Sequence, residues 1–248
     1  MCGRYVIKSP PDVLRALFGY LEQPNFPARY NVAPTQPVPI VRMWEGRRQF
    51  ALVRWGLIPA WVKDPRSFSL LINARGESVN DKPAFRNAMK RRRCLFPADG
   101  FYEWRRDGAV KQPFFIHAKD ESPIAFAGLW ETWTGPNGEE QETAAIVTTT
   151  ANRTLAPIHD RMPVILPPEA QDFWLDPNVD AETASAAIAP ARDDLLEAYE
   201  ISSAVNRTAN DSPELIARVA PGTATAEAAA KPAEPSKRKK DDRQASLF

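Results

Sequence analysis

Twenty-four prolines in 248 residues, against 11 glycines, confine this chain to short elements joined at fixed turns. Proline locks φ near −65° and has no N–H to donate, so it stops the helices and central strands that it enters. Long helices are therefore excluded, and the apolar segments between prolines must each be read as a short strand or a short helix.

Read that way, strands and helices intermix. Cys2–Lys8, Val38–Met43 and Phe50–Leu57 are strand candidates, the last two separated by the turn Glu45-Gly46. Pro10–Phe18 has helical spacing, with Ser9 as the expected N-cap, and Lys82–Arg93 is a second helix ending in basic residues. Five apolar or alternating runs follow: Cys94–Pro97, Gly100–Arg105, Gln112–Ala118, Ile124–Trp133 and Glu142–Thr149. The turn Gly135–Gly138 predicts that the last two form a hairpin. Met162–Leu166 reads as a strand, Pro168–Leu175 and Ala181–Ala189 as helices, and Leu196–Ser202 as a closing strand. With no regular βαβ alternation, the expected fold class is α+β: a curved, barrel-like mixed or antiparallel sheet with short flanking helices.

The expected organisation is one domain over residues 1–220 and a tail over 221–248. Gly222–Pro235 is built of Ala, Thr, Glu and Pro, and Ser236–Arg243 is almost wholly charged. Such a composition buries too little apolar surface to order itself. No run approaches the ~20 apolar residues of a bilayer span, and no signal-peptide pattern opens the chain. The expected location is cytoplasmic, with Cys2 and Cys94 as thiols. Two cysteines and two histidines, widely separated, give no metal spacing, and no cofactor is implied. A net charge of +1 gives no global basic character, so nucleic-acid contact would need local clusters of charge.

Several polar residues interrupt apolar runs. Asn73 and Arg75 lie in Leu71-Ile72-Asn73-Ala74-Arg75, where strand alternation puts both on one face. Glu103 lies between Tyr102 and Trp104 in Gly100-Phe101-Tyr102-Glu103-Trp104. It reads either as a desolvated general acid or base with a raised pKa, or as a surface partner of Arg105. His159, in Ile158-His159-Asp160-Arg161-Met162-Pro163, is either structural or catalytic. Arg4, Arg54, Arg75 and Arg161 adjoin apolar sequence and could line a groove. Lys90-Arg91-Arg92-Arg93 is either a solvated helix end or a phosphate contact. Trp55 and Trp61 are either core aromatics or platforms for unstacked bases.

Cys2 follows Met1, and a small second residue permits removal of the methionine. The product would carry an α-amine and a thiol on one residue, with ordinary pKa values of roughly 7.7–8.0 and about 8.5. Such a 1,2-aminothiol condenses with an aldehyde to a Schiff base and can then close a thiazolidine ring.

Met1-Cys2-Gly3-Arg4, Tyr30-Asn31-Val32-Ala33-Pro34-Thr35, Trp55-Gly56-Leu57-Ile58-Pro59, Asn73-Ala74-Arg75-Gly76-Glu77, Arg93–Trp104 and Ile158–Pro163 together resemble the SRAP family, the SOS-response-associated peptidases that process abasic sites. The resemblance runs in order from Cys2 to about Leu215. It implies binding of single-stranded DNA and a thiazolidine crosslink from the N-terminal cysteine to an abasic site, with reversal and a weak lyase side reaction. It places catalytic roles on Cys2, Asn73, Glu103 and His159, and DNA contacts on Arg4, Arg75 and Arg161, with Trp55 and Trp61 as stacking candidates. In forms with two adjacent tryptophans a second follows the first, whereas here Val62 follows Trp61. The family name also implies peptidase action on Met1. The expected protein is a monomer working at the nucleoid and replication fork.

Gln244-Ala245-Ser246-Leu247-Phe248 resembles the bacterial sliding-clamp pentapeptide, with Gln244, Leu247 and Phe248 as anchors on a tether reaching about 25 Å. Two other readings of the chain remain at this level. One is an N-terminal-nucleophile cysteine amidohydrolase or peptidase, in which the α-amine serves as base for the thiol. The other is a passive single-stranded DNA-binding module.

Overall fold

The computed structural model describes residues 2–108 and 110–220. The tail boundary and the clamp-like residues Gln244, Leu247 and Phe248 lie outside the described residues. In chain order the elements are β1 (Tyr5–Ile7), α1 (Pro11–Phe18), β2 (Arg29–Val32), β3 (Pro37–Trp44), β4 (Arg47–Trp55), β5 (Asn73–Arg75), α2 (Arg86–Arg91), β6 (Arg93–Ala98), β7 (Gly100–Asp107), β8 (Val110–Ala118), β9 (Ile124–Thr134), β10 (Glu140–Thr150), β11 (Arg161–Pro163), β12 (Ile165–Leu166), α3 (Pro168–Leu175), α4 (Ala181–Ala184) and β13 (Leu196–Glu200).

Five strands close into a barrel. β3 pairs with β4, β4 with β10, β10 with β9, β9 with β6, and β6 again with β3. All these pairings are antiparallel except β4–β10, so the barrel is mixed, as expected. β5 lies parallel on β10, β11 antiparallel on β10, and β12 antiparallel on β9. A second, antiparallel sheet has the order β13-β8-β7-β1-β2.

The two sheets share a core. Tyr5 and Phe101 of the second sheet meet Trp55 and Phe126 of the barrel edge-on. Ring centroids are 5.4 Å apart for Tyr5–Trp55 and 5.7 Å for Phe101–Phe126. Each such pair adds about 0.5–1.5 kcal/mol beyond its buried area. The chain crosses from barrel to second sheet at Asp99-Gly100, between β6 and β7. A Cβ at Gly100 would stand 2.6 Å from the Ile116 carbonyl oxygen, so only glycine lets β7 lie this close to β8. Asp99, almost fully buried, accepts hydrogen bonds from the Lys8 and Ser9 amides.

Four expectations are corrected. The helix over Ala181–Ala189 ends at Ala184 and gives way to a 3-10 turn over Ser185–Ala187. Ser9 does not cap α1: Pro10 holds the cap position, and the Ser9 hydroxyl donates to Asp99 instead. The helix over Lys82–Arg93 shortens to Arg86–Arg91, because residues 82–85 form turns around Pro83, which lacks an N–H, and Arg93 is drawn into β6. Met162–Leu166 is two strands. Val164 interrupts it, donating to the Val147 carbonyl of β10 and accepting from the Ala127 amide of β9. Among the described residues no helix is long and apolar enough to cross a membrane.

A candidate active site where the two sheets meet

Strand alternation delivers the first two polar groups. In β7, Phe101 packs in the main core and Tyr102 in the smaller cluster on the other face. Glu103 therefore shares the face of Phe101 and turns toward the barrel. In β5, Ala74 is buried in the core while Asn73 and Arg75 take the opposite face, as the alternation predicts.

Cys2 lies just ahead of β1 and is fully buried. Asn73 Nδ2 donates to the Cys2 carbonyl at 2.9 Å, and Cys2 Sγ lies 3.9 Å from the Arg4 carbonyl oxygen. His159 ends a tight turn after β10, its amide donating to the Leu155 carbonyl at 2.9 Å. Its Nε2 lies 3.9 Å from Glu103 Oε2. Thus Cys2, Asn73, Glu103 and His159, four residues from four separate segments, converge. Among the described residues no group of three or more His, Cys, Asp or Glu is gathered as a metal would require.

Burial sets the electrostatics. The Glu103 carboxyl is pushed above the usual carboxylate range, chiefly by desolvation. Glu103 is buried rather than on the surface, and Arg105 reaches Glu200 at 3.2 Å. The Cys2 thiol also departs from its ordinary value. Burial raises it strongly and the Glu103 charge raises it further, so sulfur is held as the neutral thiol rather than partly ionised near pH 7.

The DNA-contact candidates divide. Arg75 is exposed. Arg4 is half-buried, its guanidinium donating to Asn31 Oδ1 at 2.8 Å and the Val205 carbonyl at 2.9 Å. Arg161 is engaged by Glu77 and by the Thr148 carbonyl, the latter at 2.8 Å. Trp55 is corrected: it is fully enclosed, with its indole N–H donating to the Ile72 carbonyl at 3.0 Å, so it offers no stacking face. Trp61 is 56% exposed and meets Phe68 edge-on, beside a groove of about 380 Å³ that includes Arg54, Phe68 and Leu70.

Two supports were not singled out in the sequence. Asn31 is fully buried, accepting from Arg4 and donating to the Asn210 carbonyl at 2.8 Å, which ties the start of the chain to residues 205–210. Asn152 accepts from the Leu155 amide at 3.0 Å and donates to the Ala191 carbonyl at 3.1 Å, anchoring the turn that carries His159. A lone asparagine in a short segment has no sequence signal that separates such a hub from an ordinary turn residue. Asn31 lies in the Tyr30–Thr35 block that carries the family resemblance, but nothing in that block marks it as a hub.

The sequence profile of the family described as SOS response associated peptidase (SRAP) matches residues 1–208. The abasic site processing protein YoqW of Bacillus subtilis is 41% identical over 221 residues, covering 87% of this chain and 99% of that protein. The abasic site processing protein YoaM of the same organism is 39% identical over 221 residues, covering 87% and 97%. A crystal structure of a protein from Bacteroides thetaiotaomicron superposes with a TM-score of 0.81 at 28% identity, covering 88% of this chain and 100% of that one.

Proposed function

This chain belongs to the SOS response associated peptidase (SRAP) family, and from that premise we propose that it processes abasic sites in single-stranded DNA by covalent capture on Cys2. The observation that carries the reading is the convergence of Cys2, Asn73, Glu103 and His159 at the junction of the two sheets.

Removal of Met1, by an aminopeptidase or by the protein itself, frees the Cys2 α-amine. The ring-opened abasic sugar presents an aldehyde at C1′. The amine adds to it and water leaves, giving an imine. The Cys2 S–H then adds across the C=N bond: sulfur bonds to C1′, its proton passes to nitrogen, and a thiazolidine results. Nitrogen acts first, because burial keeps the sulfur protonated until an electrophile is within reach.

Glu103, with its raised pKa, is suited to give and take the protons of ring opening and dehydration. Asn73 Nδ2 is spent on the Cys2 carbonyl, while its Oδ1 is buried with no partner among the described residues and can accept from the α-amine. His159 faces Glu103 and would serve the sugar oxygen and later the reversal. The imine acidifies the C2′ protons, so slow strand cleavage by β-elimination accompanies capture, and ring closure suppresses it. Exposed Arg75 and Trp61 would hold the strand by phosphate contact and base stacking. The pentapeptide at Gln244–Phe248 would dock the protein on a sliding clamp, placing it at replication forks in the cytoplasm.

The test is incubation of the processed protein with single-stranded DNA bearing one abasic site, read as an adduct that survives heat and denaturant. Cys2→Ala should give none. A heat-stable adduct from that variant removes Cys2 from the chemistry. Glutaminase activity without any adduct would favour the amidohydrolase reading, and binding without any adduct a passive module.

A further inference from the structure

Glu77 has no part in the chemistry above, yet it grips the segment that carries His159. Its carboxylate takes both terminal nitrogens of Arg161, with Nη2–Oε2 at 2.9 Å. Arg161 Nη2 also donates to the Thr148 carbonyl at 2.8 Å and lies 3.3 Å from Thr148 Oγ1. The Arg161 side chain is only 12% exposed. Its main chain is held as well, since Arg161 pairs with Thr150 in the β10–β11 ladder. Glu77 itself stands in the single turn of 3-10 helix directly after β5, the strand that carries Asn73. One fork thus joins the Asn73 strand, β10 and the His159 segment.

The consequence falls on the imidazole. The Arg161 backbone N–H donates to His159 Nδ1 at 2.9 Å. A donor aimed at Nδ1 requires a lone pair there, so the proton of the neutral ring sits on Nε2, the nitrogen facing Glu103. A competing group is present: Asp160 Oδ1 also lies 2.9 Å from Nδ1 and would favour a proton on it. The contest is decided by which group can yield. The Asp160 side chain is 86% exposed and can turn to water, whereas the Arg161 amide cannot move while its side chain and strand are clamped.

We propose that Glu77 is a positioning residue: through Arg161 it holds the Arg161 amide on His159 Nδ1 and so fixes the ring in the Nε2–H tautomer aimed at Glu103. This rests on His159 acting in the site as proposed above. The Arg161–Glu77 pair also keeps the Glu77 carboxyl below its ordinary range, in keeping with a persistent ion pair.

The test reads the ring directly, by ¹⁵N NMR of protein labelled in its two histidines, above the pH at which the rings lose their charge. Wild type should show the Nε2–H pattern for His159. Glu77→Ala should move it toward Nδ1–H, Glu77→Gln should do so partially, and crosslinking to an abasic site should slow about tenfold. Should Glu77→Ala not fold, Glu77→Gln carries the measurement. An unchanged His159 spectrum in folded Glu77→Ala overturns the proposal. If wild type forms no adduct, the abasic-site reading falls, while the spectra still decide the tautomer question.

Discussion

The Asn73 side-chain amide donates to the Cys2 carbonyl at 2.9 Å, binding β5 on the barrel to the residue that precedes β1 of the second sheet. This bond crosses the seam along which the site is built. Asn73→Ala should therefore leave the fold intact at a cost of about 1 kcal/mol in thermal or urea unfolding. Crosslinking should slow by on the order of a hundredfold, because a reacting nitrogen displaced by 1 Å loses that much. An equal rate in the variant would deny Asn73 a part in orienting Cys2.

Glu103 gives a pH prediction. In the unfolded chain its carboxyl ionises near the ordinary value of about 4.3. Burial in the fold makes it keep its proton to higher pH. A raised carboxyl pKa leaves stability undiminished below the unfolded value and erodes it as pH climbs through the folded one. Glu103→Gln escapes that erosion. Its stability should gain on wild type as pH rises above the ordinary carboxylate value of about 4.3. Its crosslinking should drop by about a hundredfold or more. A stability difference that stays flat across this range would mean the carboxyl is not desolvated.

Thiol reactivity follows from burial. Cys2 and Cys94 are both enclosed and both raised above the ordinary thiol value, by desolvation first. Alkylation by iodoacetamide at pH 8 should be slower in the native protein than in denaturant by on the order of a hundredfold for each cysteine. Peptide mapping separates the two. Fast native labelling of Cys2 would show a thiol already ionised, and the order of nitrogen before sulfur would lose its basis.

The two tryptophans should separate cleanly. Trp55→Ala opens a cavity beneath Tyr5 and should cost about 3–5 kcal/mol. Trp61→Ala should change stability by no more than about 0.5 kcal/mol while weakening single-strand binding by about 1–3 kcal/mol. Fluorescence anisotropy with undamaged oligonucleotides and a melting curve for each variant make the comparison. Full-strength binding by the Trp61 variant would leave that residue as simple exposed surface.

Asn31→Ala should destabilise the protein more than its size suggests, by about 3 kcal/mol. It leaves Arg4 Nη1 with the Val205 carbonyl alone and removes the Nδ2 donor from the Asn210 carbonyl. Hydrogen exchange should locate the loss in residues 203–216 as well as in β1 and β2. A loss spread evenly over the barrel would argue against a local hub.

What the sequence by itself determined is local in origin. Proline spacing limited the elements to short ones, and alternation placed Asn73 with Arg75 and marked Glu103 as a carboxylate amid aromatics. The ordered motif blocks carried the family. The tertiary structure decided what depends on distance along the chain. Asn73 lies 71 residues from Cys2 and meets it only because β5 adds in parallel to β10 at the barrel's edge. Trp55 and Trp61 carry the same side chain within one short stretch of sequence, and packing against Tyr5 made one a core residue while the other stayed exposed. The thiol of Cys2 has an ordinary pKa in the free residue; enclosure in low dielectric beside Glu103 raised it. Residue type sets what a group can do, whereas proximity and desolvation belong to the assembled sheets, and it is these that bring separate motifs together in one candidate site.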